Sequence, residues 1–378
     1  MTLLIDIAAL SDRSTDHALE LIHKAIGDGE DTLWDKHPSP FIRRIVELFT
    51  QRGLLRLDGL RQELEQWMER ARHSPAAIPP RPDGSMLRWS EDEIALVRIY
   101  LTRLSPEQFE LDDHMLLVDY LVQKYLPENQ LRSESEWLTT RSALMGRVQA
   151  NIAALSAKQA DTVLDALPGM TEAAARFRFS PRQIAVMNFA SSRAADRVRK
   201  VSDDTRYRLR NTIRLHTEQR VLGTPGLPGS LQTKLIDDFG VLNRDWRRIA
   251  VTEAGEAANQ GMVSSMRDGD RLKRVERYRG ACPFCRGIDG KIVEVVPPDQ
   301  QVKDGATQIW AGKDNVGRSA SPKRRVGRLL IDRGPGEMWW IPAGTVHPNC
   351  RGRWVTTAST REGDDADFAS WLKSTLER

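Results

Sequence analysis

Cys282-Pro283-Phe284-Cys285 and His347-Pro348-Asn349-Cys350 together hold all 3 cysteines of the chain and one of its 7 histidines. A Cys-x-x-Cys turn lets two thiolates converge on one ion, and a His-x-x-Cys turn supplies the complementary pair. Cys282, Cys285, His347 and Cys350 are therefore candidate ligands of a structural zinc, in a Cys3His set that suits tetrahedral coordination. Because 61 residues separate Cys285 from His347, the fold must bring the two pairs together. Two other readings stay open at this point. One is a metal-free cluster whose turns are shaped by Pro283 and Pro348. The other is a redox Cys-x-x-Cys, for which the surrounding sequence lacks a βαβ pattern.

The elements that must position these residues divide into a large helical part and a small mixed part. Phe41, Ile42, Ile45, Leu48 and Phe49 form one apolar stripe, with Ser39-Pro40 as cap and first helical residue. Leu57, Leu60, Leu64 and Trp67 mark a second helix over 54–71. Ser90-Glu91-Asp92-Glu93 reads as a capping box, and Ser180-Pro181-Arg182-Gln183 repeats the Ser-cap, Pro-first arrangement. Leu116, Leu117, Tyr120, Leu121 and Tyr125 give one apolar face; Leu144, Val148, Ile152 and Leu155 give another. Gly223 to Ser230 is read as a turn between two helical arms. After Tyr278, Ile292–Val296, Arg328–Ile331, Met338–Ile341 and Gly352–Thr356 read as short strands, rich in β-branched and aromatic residues. Lys303 to Arg325 reads as a long loop, and Ala366 to Leu376 as a terminal helix.

The resulting expectation is a mainly α protein: a large helical body with a small α+β C-terminal module holding the Cys-x-x-Cys/His-x-x-Cys cluster. Its divisions are an N-terminal helical region (1–75), a Pro-rich linker (76–89), a helical body (90–277), the α+β Cys/His module (278–360) and a C-terminal tail (361–378). The chain has 378 residues with 56 Lys plus Arg against 52 Asp plus Glu, a net charge of only +4. That excludes a polybasic protein whose affinity rests on bulk charge. An odd, sparse cysteine count excludes a disulfide-framed secreted scaffold. No run approaches the ~18 apolar residues of a membrane span. The opening Met1-Thr2-Leu3-Leu4-Ile5-Asp6 lacks the basic start of a secretory signal, so a soluble, cytosol-made protein is expected.

The near-neutral total conceals a basic segment over 176–250, where 16 Arg plus Lys meet 7 Asp plus Glu, a net of +9. Arg193, Arg197, Arg199, Lys200, Arg206, Arg208, Arg210 and Arg214 fall on one long helical stretch. They are candidate contacts for nucleic acid or for an acidic protein partner, since guanidinium favours bidentate phosphate and carboxylate pairing. A solvated helix face is the plain alternative. His216-Thr217-Glu218 with the Cys282–Cys285 pair imitates a zinc-deaminase signature, but Pro283 lies inside the pair rather than before it, and His347 and Cys350 are left over. Phosphate loops, Ser-His-Asp sets and His-Glu-x-x-His are not evident.

Five pieces occur in order: Arg247-Arg248-Ile249-Ala250-Val251-Thr252-Glu253, then Ala257-Ala258-Asn259, Cys282-Pro283-Phe284-Cys285, Asp289-Gly290-Lys291, and His347-Pro348-Asn349-Cys350-Arg351. The series resembles the phage head morphogenesis family, which includes minor capsid proteins similar to protein F of phage Mu. The resemblance spans roughly residues 180–356. There are two departures. The family often ends Cys-Arg-Cys, whereas Gly352 follows Arg351 here, and the segment between Gly290 and His347 is longer, as if a loop were inserted. The resemblance implies a non-enzymatic minor capsid protein of a tailed phage or prophage. Such a protein acts in head morphogenesis and virion assembly at the portal vertex. Its partners would be the portal protein and capsid or scaffold proteins, with packaged DNA as a further contact, and no membrane. Its location would be the virion, with host cytoplasm during assembly. The alternative is a zinc-braced nucleic-acid-binding or nuclease-like enzyme. Physically, Trp246, Ile249, Ala250, Glu253, Ala254, Ala257 and Gly261 share a small-residue helix face that favours close packing. Glu253 within it requires a buried partner, so Thr252, Glu253 and Asn259 are read as structural hydrogen-bonding residues.

Overall fold

The computed structural model describes residues 32–69, 80–82, 89–105, 108–152, 154–222, 231–315, 317–319, 321–357 and 366–377. In chain order the helices are α1 (Pro40–Glu69), α2 (Glu91–Arg103), α3 (Leu111–Tyr125), α4 (Glu128–Asn151), α5 (Ala157–Ala166), α6 (Met170–Arg176), α7 (Pro181–Leu222), α8 (Leu231–Ser265), α9 (Pro283–Ile288) and α10 (Ala366–Leu376). The strands are β1 (Arg271–Val275), β2 (Ile292–Val295), β3 (Gln308–Ile309), β4 (Lys323–Val326), β5 (Leu329–Asp332) and β6 (Arg353–Thr356). The mainly α body with a small C-terminal sheet is as expected. Most of the Pro-rich linker and the Gly223–Ser230 turn lie outside the described residues, as does the start of the N-terminal helical region. Among the described residues, no helix is long and apolar enough to cross a membrane.

The chain forms two compact units, with three of the borders between them inside α1, α7 and α8. The first takes the described parts of Met1–Trp34, Leu57–Tyr125 and Asp204–Arg244. Its core includes Leu57, Leu60 and Leu64 of α1, Val97 and Leu101 of α2, and Leu116, Leu117 and Leu121 of α3. Ser90 starts α2 with the expected capping box, its hydroxyl accepting from Glu93 N while the Glu93 carboxylate accepts from Ser90 N.

The second unit takes Asp35–Arg56, Leu126–Asp203 and Asp245–Arg378. Two glycines allow α4 and α8 to touch backbone to backbone. A Cβ on Gly146 would lie 1.9 Å from the Ala258 carbonyl oxygen, and one on Gly261 would lie 2.2 Å from that of Ala143. A third, Gly53, makes room for the Trp246 indole, whose Nε1 donates to the Phe49 carbonyl at 3.0 Å. The two helices read over 41–49 and 54–71 are thus one helix, α1, crossing Gly53 without a break. Ser180 caps α7 as expected, exchanging bonds with Gln183. α10 buries Phe368 edge-on against Phe177, with centroids 5.0 Å apart.

The four-stranded sheet has the order β3-β2-β1-β6. β1 pairs antiparallel with β2 on one side and β6 on the other, and β3 joins β2 in parallel. The central strand β1, Arg271-Leu272-Lys273-Arg274-Val275, carries no apolar signature because one of its inward positions is Arg274. That side chain is fully buried, so the alternation exists but is hidden by its chemistry. Two expectations need correction. Lys303–Arg325 contains β3 and the start of a hairpin rather than loop throughout. Met338–Ile341 forms no strand; only Met338 bridges, to Ser319. Its aromatics act as separate pegs instead: the Trp339 ring meets Phe284 edge-on, and Trp340 packs on Trp310 and over Gly305.

Candidate metal centre

The first pair is positioned by a helix start. Cys282 is the N-cap of α9, its sulfur accepting from the Cys285 N–H at 3.4 Å, with Pro283 at the first helical position. One turn of helix therefore sets the two thiols side by side. The second pair is positioned by a turn. Cys350 N donates to the His347 carbonyl at 3.0 Å, and Asn349 adopts φ +63°, a left-handed conformation that Asn tolerates better than most residues.

Helix α8 holds this turn in place through three polar residues on successive turns. Thr252 Oγ1 accepts from Asn349 N at 2.8 Å and donates to the Arg248 carbonyl. Glu256 accepts from the backbone N and the hydroxyl of Thr345, at 2.5 and 2.9 Å. Asn259 clasps the next strand, donating to the Gly352 carbonyl at 2.9 Å and accepting from Trp354 N at 3.2 Å. Glu253, wholly buried, faces the other way and pairs with Arg193 at 2.9 Å and Arg197 at 3.0 Å. Thr252, Glu253 and Asn259 thus have the structural roles read from the sequence.

The structure gathers the four candidate ligands into two adjoining groups of three. The donor atoms of Cys282, Cys285 and His347 lie within 4.8 Å of one another, and so do those of Glu276, Cys285 and Cys350. Cys285 belongs to both groups, and its sulfur is 3.4 Å from His347 Nε2. The Pro348 carbonyl, which can only accept, lies 2.8 Å from His347 Nδ1. That bond puts a proton on Nδ1 and turns Nε2 toward the cysteines, the orientation a metal-bound imidazole needs.

Electrostatics points the same way. The hydrogen bond from Cys285 holds the Cys350 thiol well below its ordinary value despite burial, with Arg274 adding to the effect. Cys285 is pushed up as the partner that keeps the proton, by that same bond and then by burial. At Cys282, burial opposes the thiolate, but the Cys285 N–H and thiol and His347 outweigh it, and its pKa falls. Thiolates are the form that binds soft and borderline cations. The donor set therefore fits a metal ion.

Three further residues surround the Cys350 sulfur: Arg274 Nη2 at 3.8 Å, Tyr278 Oη at 3.7 Å and the Glu276 carboxylate at 3.9 Å. Arg274 and Glu276 form a wholly buried ion pair at 2.7 Å. Burial raises the Glu276 pKa even against the opposing pull of Arg274. Gly352 explains how Glu276 gets there, since a Cβ at that position would lie 2.0 Å from Glu276 Oε1. The missing side chain at 352 leaves a gap that the carboxylate fills. Arg274 and Glu276 were not legible in the sequence, because the charged run around them resembles a solvated surface. The absent side chain at 352 was the available signal.

The basic stretch is largely paired with the protein's own carboxylates. Besides the pairs to Glu253, Arg193 meets Glu256 at 3.4 Å. Arg206 and Arg210 meet the buried Asp119 at 3.2 and 2.7 Å, Arg208 meets Asp238 at 4.0 Å, Arg199 meets Asp196 at 3.2 Å and Arg214 meets Glu218 at 3.3 Å. Lys200 is exposed and has no ion pair among the described residues. These eight side chains are not brought together on one free face.

Comparison with family models, curated protein sequences and solved structures gives no match. A family reading therefore rests on the residues and on how they meet.

Proposed function

We propose that this chain is a minor head protein of a tailed phage or prophage, a structural component without enzymatic activity that joins head assembly at the portal vertex. The observation that carries this reading is that the sequence pieces are tied to one another or to the backbone beside them. Thr252 is tied to Asn349, Asn259 to the strand after Arg351, Cys285 to His347, and Asp289 Oδ1 accepts from the backbone N of Glu276. Pieces spread over 247–351 that hold one another make one cooperative element, which is what a family-defining series should encode. The two acids in the series are both engaged, Glu253 by two arginines and Asp289 by the Glu276 backbone and Arg277, which suits a packing role.

In this reading the metal staples the small sheet and its turns into a rigid end, the helices present surfaces to portal and capsid or scaffold proteins, and the virion is the destination. DNA contact has weaker support, because the arginines of the basic stretch are engaged with carboxylates. The test is genetic and biochemical: heads made without this chain, and co-purification of the chain with the portal protein of the same phage. Defective heads together with a portal complex are expected. Normal heads with no portal complex would sink the reading, and metal-dependent DNA cleavage lost on changing His347 would favour the nuclease-like alternative.

A further inference from the structure

The stretch read as an inserted loop carries a hairpin unlike anything else in its unit. β4 and β5 pair only with each other, in the register Lys323↔Asp332, Arg324↔Ile331, Arg325↔Leu330 and Val326↔Leu329. All eight residues are exposed. Gly327, at φ +60°, makes the two-residue turn with Arg328, as a tight hairpin requires. A lone two-stranded ribbon is marginally stable in water, and both of its edges present unpaired backbone groups.

Directly paired residues share a face, so Val326, Leu329 and Ile331 lie together beside Arg324. These three aliphatics are 52%, 70% and 36% exposed, a contiguous apolar patch at the tip of a hairpin. Arg324 is paired with Glu337 at 3.2 Å, and Lys323 with Asp332 at 3.8 Å. Arg325 and Arg328 have no ion-pair partner among the described residues. The segment 323–332 thus carries 4 cations and 1 carboxylate: Arg324 shares the apolar face, Arg328 sits in the turn beside it, and Lys323 and Arg325 lie on the opposite face.

We propose that this hairpin is a docking arm for a protein partner whose site is an apolar seam rimmed by carboxylates. Charge complementarity selects that occupant, and the free strand edge offers backbone pairing in addition. Duplex nucleic acid would satisfy the cations but leave three exposed aliphatics against phosphate or water. The inference rests on the head-assembly reading above, under which the partner to test is the portal protein.

The experiment measures binding of the full-length chain to the portal protein of the same phage at low and moderate salt. The wild type is compared with Leu329→Ser/Ile331→Ser and with Arg325→Glu/Arg328→Glu, all checked for unchanged helicity and metal content. Binding weakened at least tenfold by both variants, with the charge variant also flattening the salt dependence, is the expected result. Variants that bind portal like the wild type would overturn the arm and leave the head-protein reading standing. No portal binding by the wild type would overturn that reading and the arm with it. Binding to duplex DNA that the charge variant abolishes and the aliphatic variant preserves would overturn the arm in favour of nucleic acid.

Discussion

At the residue scale, the candidate centre depends on Cys350 being offered as a thiolate beneath Arg274. Cys350→Ser should therefore lose bound metal and melt earlier. Its metal affinity should fall further than the ~10–100-fold typical of removing an outer-sphere partner, the range expected for Glu276→Gln. Metal content and thermal melting of the purified variants check both. A second residue to test is His37, which is buried with Nδ1 accepting from Ser39 N at 3.1 Å. Burial first, then Arg351, Arg247 and Arg353, lowers its pKa to about 3. Its folded pKa is depressed, so its contribution to stability is complete above the unfolded value near ~6.5 and is lost as pH falls from there toward the folded value. The slope in that window is about 1.4 kcal/mol per pH unit. Denaturant titrations at a series of pH values should show a shallower acid slope for His37→Gln than for the wild type; superimposable slopes would remove His37 from the account. The four ligands were legible because each pair is fixed by spacing within one turn. Arg274 and Glu276 were not, because a buried ion pair is written in the same letters as a surface.

At the element scale, α8 organises the second unit, with one face against α4 and a polar row holding the Cys/His turn. Gly261→Ala would push a methyl against the Ala143 backbone, where no side chain can swing aside. Overpacking of this kind costs roughly 1–3 kcal/mol, and chemical denaturation should place this variant at or above the top of that range. Glu253→Ala would leave Arg193 with Glu256 alone and strand Arg197. Both are partly exposed, at 26% and 43%, so the expected loss is about 2 kcal/mol, below the ~3–5 of a wholly buried pair. The helices were legible because caps and apolar stripes are local signals. The aromatic run at 338–341 misled because Trp339 and Trp340 are used as pegs into separate sites, which composition cannot distinguish from a strand.

At the scale of the whole molecule, each unit gathers three stretches of chain, so a linear reading of domains from composition could not show the grouping. The basic segment teaches the same lesson. Its net +9 is real along the sequence, but the fold sets against it carboxylates from outside the segment, Asp119, Glu253 and Glu256, and pairs Arg208 with Asp238 from within it. The fold instead leaves exposed the small, apolar-faced cationic hairpin at 323–332, which charge counting over long windows passes over. The central claim is that this chain is a structural part of a phage head. It is tested most directly by mass spectrometry of purified procapsids and mature heads from the phage that encodes it. The account predicts peptides of this chain at low copy alongside the portal protein; their absence from both particles would contradict it.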